Sequence, residues 1–116
     1  MSAPRSNRQY LEDILDSVRK AQEFIEGMNF EEFSSDVKTV YAVVRAFQIL
    51  GEATKRISPE FREQYPDLPW KLMAGMRDKL IHDYSGVDLE VLWKTVNDRL
   101  PALELQVHHL LAEVQD

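Results

Sequence analysis

Apolar side chains recur at three- and four-residue intervals along most of this chain, the spacing that gathers one stripe on an α-helix. Tyr10, Leu11, Ile14, Leu15, Val18, Phe24, Ile25 and Met28 make the first stripe, with Glu12, Asp13, Asp16, Glu23 and Glu26 mostly off it. Gly27 and Asn29 mark its end, and residues 29–36 read as a connector whose Ser34, Ser35 or Asp36 can cap the next helix. That second helix runs to about Ile57 on Val37, Val40, Val43, Val44, Phe47, Leu50, Ala53 and Ile57, a helical phase that outweighs the β preference of valine. Ser58-Pro59 opens a short helix over Glu60 to Gln64, which Pro66 ends. From Pro69, the positions Trp70, Leu72, Met73, Met76, Leu80 and Ile81 predict a third main helix, broken near His82 to Tyr84 by Ser85-Gly86. Asp88 can cap a fourth, with apolar positions from Leu89 to Val114, and Pro101 inside it predicts a kink or a restart. No period-two alternation is long enough for a strand. The expected fold is all-α: an antiparallel four-helix bundle with an additional short helix and a kinked C-terminal helix.

Composition narrows the class. At 116 residues the chain has the length of a single domain, spanning 1–116. The absence of cysteine excludes disulfides and thiolate metal sites. No run approaches the roughly 20 apolar residues of a membrane-spanning helix, so no membrane is expected among its partners. The polar start, Met1 to Arg8, lacks the apolar segment of a signal peptide, and a cytoplasmic location is expected. The net charge is −6, but its distribution matters more. Glu12 to Asp36 holds eight acidic and two basic side chains, whereas Lys71 to His82 sets Lys71, Arg77 and Lys79 against Asp78 alone. Such a balance argues against broad duplex binding and leaves room for a site that holds one phosphate.

Most familiar chemistries lack their residues. His108 and His109 are adjacent, so on a helix they point about 100° apart and cannot grip one ion. Gly27, Gly51, Gly75 and Gly86 are scattered, which excludes a glycine-rich phosphate loop, and the serines read as caps. Trp70 and Trp93 fall in apolar phase and read as packing residues. What remains is Gly75 to Gly86, where Arg77, Asp78, Lys79, His82, Asp83 and Tyr84 combine a fixed cation, a near-neutral acid/base and a phenol. Taken alone, this stretch reads more economically as a helix end with cations near its last carbonyls.

A wider pattern tips the balance the other way. Arg77-Asp78-Lys79-Leu80-Ile81-His82, extended by Tyr84, occurs together with Ile49-Leu50-Gly51-Glu52-Ala53, Ile57-Ser58, Pro69-Trp70, Gly75-Met76-Arg77, Val87-Asp88, Trp93 and Leu100-Pro101. In these features and their order the chain, from Tyr10 to Leu111, resembles the HepT-like toxins of the HEPN superfamily. The resemblance implies the toxin of a type VII HEPN–MNT toxin–antitoxin pair, a metal-independent endoribonuclease without cofactor. Arg77 and His82 would be its catalytic pair, with Asp78, where the family more often has asparagine, Lys79 and Glu52 binding substrate or shaping the cleft. It further implies that a nucleotidyltransferase antitoxin silences the toxin by adenylylating Tyr84. The chemistry is coherent, because RNA carries its own 2′-hydroxyl nucleophile and needs a proton acceptor, a proton donor and a cation for the phosphorane charge.

Geometry adds a constraint. Five residues turn an ideal helix about 500°, leaving Arg77 and His82 roughly 140° apart with about 7.5 Å of rise. Either the helix unwinds before His82, or two chains meet about a twofold axis and share one cleft, a homodimer through the third main helix. The competing function is a noncatalytic helical module that binds a nucleotidyltransferase or a nucleotide; a third is a purely structural helical dimer.

Overall fold

A computed structural model describes residues 5–82 and 88–114, the side chains of 79–82 excepted. Seven helices occupy the described residues: α1 (Asn7–Phe24), α2 (Phe30–Ser35), α3 (Val37–Arg56), α4 (Pro59–Gln64), α5 (Trp70–His82), α6 (Leu89–Asp98) and α7 (Leu100–Glu113). The all-α expectation holds: α1, α3, α5 and the broken pair α6–α7 are the four main elements.

Local chemistry explains most boundaries. Ser6 and Gln9 close a capping box at the start of α1, and Ser58 caps α4 with Pro59 in its first turn. Residues 29–36 are not merely a connector. Asn29 accepts from the Glu32 N–H while the Glu32 side chain accepts from the Asn29 N–H, a reciprocal pair that nucleates α2. Asp36 then caps α3 through Thr39, and those two bonds to Thr39 hold its carboxyl below the ordinary value. At Pro101 the helix restarts rather than bends: α6 ends at Asp98 and α7 begins at Leu100 around Arg99.

Helix α3 is the centre of the packing, with α1 on one side and α5 on the other; α7 and α6 close the bundle against α1. Leu11, Ile14, Val18, Phe33, Val43, Leu50, Ile57, Met73, Val96, Leu100 and Val107 are buried together between these helices. Trp93 of α6 lies against Phe33 and Phe30 of α2, with ring centroids 5.3 and 6.1 Å apart. Trp70 is buried and donates its indole N–H to the Tyr65 carbonyl at 2.9 Å. Polar ties close the ends: Asn7 and Ser58 exchange two hydrogen bonds, and Arg8 donates to the Leu111 and Val114 carbonyls at the end of α7.

The tightest approach is between α3 and α5. A Cβ placed on Gly51 would stand 2.5 Å from the Arg77 Cβ, 2.8 Å from its backbone nitrogen and 3.2 Å from its Cα. Two of those three atoms are backbone, so only movement of a whole helix could admit the methyl group. Gly75 of α5 differs, with nothing within 4 Å of the same position. The two glycines therefore predict opposite results. Gly51→Ala should destabilise, because overpacking of about 1–3 kcal/mol exceeds the roughly 1 kcal/mol that alanine gains over glycine in a helix. Gly75→Ala should raise stability by up to about 1 kcal/mol. Urea unfolding of both variants checks the pair; equal shifts of one sign would contradict the contact.

Candidate active site

Helix α5 carries the candidate residues, and its contact with Gly51 sets where they stand. Arg77 is half-buried at this crossing. Its guanidinium forms no hydrogen bond or ion pair among the described residues. A fixed cation that is partly withdrawn from water without a counter-charge is a poor structural element and a good anion receptor.

Asp78, next in sequence, has a different place. Lys55 Nζ of α3 donates to both of its carboxylate oxygens, at 2.7 and 2.8 Å, and so clasps α3 to α5 one turn from Gly51. The expected substrate contact or cleft-shaping residue thus stands as half of an inter-helix ion pair, and Lys55 is the partner that sequence reasoning missed.

Glu52 lies on the opposite flank. With Arg5, Tyr10, Asp13, Arg45, Ile49, Ala53 and Arg56 it lines an open depression of about 320 Å³ between α1 and α3, and its carboxylate lies 4.0 Å from the Arg56 guanidinium. The side chains of Lys79 and His82 lie outside the described residues, as does Tyr84 entirely. The backbone of α5 is helical through His82, however. Of the two ways to reconcile Arg77 with His82, unwinding before the histidine is therefore overturned: nothing between Trp70 and His82 breaks a helix, and the turn signals come only at Ser85-Gly86. On a helix that is regular to its end, the two residues are roughly 140° apart.

The electrostatic setting is also broader than α5. Lys71 to His82 is not the only basic segment: α3 carries Lys38, Arg45, Lys55 and Arg56 against Glu52 alone. Together α3 and α5 hold seven basic and two acidic side chains in a chain whose total is −6. Two of these cations, Lys55 and Arg56, are paired with Asp78 and Glu52, so the local excess of positive charge is smaller than the count. His108 and His109, with ring centroids 6.1 Å apart, are exposed on α7. No cluster of three metal-ligating side chains occurs among the described residues, and no described helix is long and apolar enough to cross a membrane.

The family model for the HepT-like ribonucleases matches residues 14–110. The chain belongs to the HepT-like ribonuclease family. A Thermococcus cleftensis protein named "Probable ribonuclease HepT" is 50% identical over 100 residues, covering 86% of this chain and 91% of its own. A Caldanaerobacter subterraneus subsp. tengcongensis protein provisionally named an RNase is 44% identical over 107 residues, 92% of this chain and 96% of its own. A Methanocaldococcus jannaschii protein, also provisionally named an RNase, is 41% identical over 103 residues, 89% of this chain and 94% of its own. No solved structure is a significant match. Within this HepT-like chain the Lys55–Asp78 clasp is a half-exposed pair, so its worth is bounded. Lys55→Met should cost less than about 1 kcal/mol at low salt, and less still at 1 M salt, where the Debye length falls to about 3 Å. Thermal melts at both salt concentrations check this; a larger loss that salt leaves unchanged would mean that the lysine is held by packing.

Proposed function

We propose that this chain is a metal-independent endoribonuclease and the toxin of a HEPN–MNT pair. One observation carries the reading: Arg77, half-buried and without a counter-charge among the described residues, stands at the α3–α5 crossing, five residues before His82 on an unbroken helix. Family membership supports ribonuclease chemistry in general, and Arg77 supplies a place for it.

The reaction needs three contributions. The 2′-oxygen beside the scissile phosphate loses its proton to an imidazole and bonds to phosphorus, the P–O5′ bond breaks, and a second imidazole donates the proton that the 5′-oxygen takes up. His82, ordinarily titrating near pH 6.5, suits either transfer. Arg77 forks onto the non-bridging oxygens and neutralises the charge that builds on the pentacoordinate phosphorus. Products are a 2′,3′-cyclic phosphate and a 5′-hydroxyl, with no metal in the balance.

His82 is the one histidine on α5, so a second imidazole from this helix comes from a second chain. Because α5 stays helical through His82, a twofold axis along α5 is the economical way to bring Arg77 of one protomer toward the partner's His82. Helix α5 has α3 as its principal neighbour and leaves Leu72 exposed, which suits a second copy on its outer face. Tyr84 follows His82 by two residues in the sequence. An adenylate attached there by the nucleotidyltransferase antitoxin would place a phosphate where RNA binds, within reach of Arg77.

Expression without antitoxin tests the proposal. Wild type should arrest growth and cut RNA with EDTA present, while Arg77→Ala and His82→Ala should each lose about 10²–10⁴-fold in cleavage. Light scattering should give a dimer, and mass spectrometry after co-expression with the antitoxin should find adenylate on Tyr84. Cleavage that survives both substitutions, or that EDTA abolishes, would overturn the catalytic assignment; an active monomer would overturn the shared cleft.

A further inference from the structure

The depression between α1 and α3 has no part in the reaction just described, yet its chemistry is that of a nucleotide site. Three guanidiniums, of Arg5, Arg45 and Arg56, line it against the carboxylates of Asp13 and Glu52. Arg5 is committed, at 2.7 Å from Asp13. Arg56 meets Glu52 only at 4.0 Å, the outer limit of an ion pair, and Arg45 has no ion pair or hydrogen bond among the described residues. Three guanidiniums against two carboxylates leave one positive charge in excess, and Arg45 carries it. The remaining lining is flat and apolar: the Ile49 and Ala53 side chains, and the Tyr10 ring with the Arg5 guanidinium 5.4 Å from its centroid. Paired arginine and tyrosine planes beside free guanidiniums match a nucleotide, whose base stacks and whose phosphate pairs. A volume of about 320 Å³ is at the low end for ligand sites and suits one nucleotide unit rather than a larger ligand.

Position relates this site to the crossing. Gly51, which touches Arg77, and Arg45 are both on α3, six residues or about 120° of rotation apart. On a helix some 10–12 Å across, that is an arc of roughly 12 Å, which with about 9 Å of rise makes a surface path of roughly 15 Å, within reach of a strand of a few nucleotides. We infer that this depression holds a nucleotide flanking the cut, with its phosphate on Arg45 and Arg56 and its base on the Arg5–Tyr10 platform. The inference rests on the ribonuclease reading for its ligand. Glu52 then acts as a competitor for Arg56 that an incoming phosphate displaces.

Binding of a fully 2′-O-methylated heptanucleotide, which cannot be cut, tests this across a salt series. Arg45→Ala should weaken binding by about tenfold and flatten the slope of log K against log salt by about 0.7, the loss of one phosphate contact. Arg45→Lys should restore the slope, and Glu52→Gln should tighten binding. Equal affinity and slope for wild type and Arg45→Ala would overturn the inference while Arg77-dependent cleavage kept the ribonuclease reading intact. Should wild type cut no RNA, the ribonuclease reading fails, and the slope still decides whether the depression binds the strand. AMP binding that Arg45→Ala abolishes, with the heptanucleotide unaffected, would assign the site to a free nucleotide instead and overturn the strand version.

Discussion

A missing side chain governs this molecule. Helix α5 sits where it does because Gly51 offers α3 no Cβ at the point where the Arg77 backbone arrives. Helix axes ordinarily stay 8–10 Å apart because side chains fill the space between them, and a glycine removes that spacer at one point. The contact places the first atoms of Arg77 against α3, leaving only the flexible end of the side chain free to choose its direction. The Lys55–Asp78 pair, beside the same crossing, resists sliding of one helix along the other. Register is therefore set by shape at Gly51 and by charge at Asp78.

That register has an electrostatic consequence. Packing α5 on α3 brings two basic helices together in a chain that is acidic as a whole, with Lys55 and Arg56 paired to Asp78 and Glu52. In the proposed ribonuclease, Arg77 and Arg45 are among the cations of this helix pair left to meet a strand.

Most of the fold was legible in the sequence because it rests on short-range rules. The three-and-four spacing of Leu11, Ile14 and Val18, or of Val43, Phe47 and Leu50, gives the helices, and Ser58-Pro59 and Asp88 give their starts. Helix α2 escaped because six residues are too few for periodicity; its signal was the Asn29–Glu32 capping box, which was there to be read. The site was legible only in part. Arg77 and His82 were singled out by the family resemblance rather than by their spacing, and the Gly51 contact and the Lys55–Asp78 clasp join residues 26 and 23 positions apart, where pairing depends on the tertiary fold. Glu52 illustrates the same limit: one residue from Gly51 in sequence, it faces α1 rather than α5.

The proposed catalysis requires Arg77 to meet a scissile phosphate at the α3–α5 crossing. A crystal structure of the wild-type protein with a 2′-deoxy-substituted RNA, which retains the phosphate but lacks the nucleophile at the cut, examines this directly. It should show that phosphate forked by the Arg77 guanidinium, beside the helix end that bears His82. Nucleic acid bound to another face, or an Arg77 guanidinium turned from every phosphate, would contradict it.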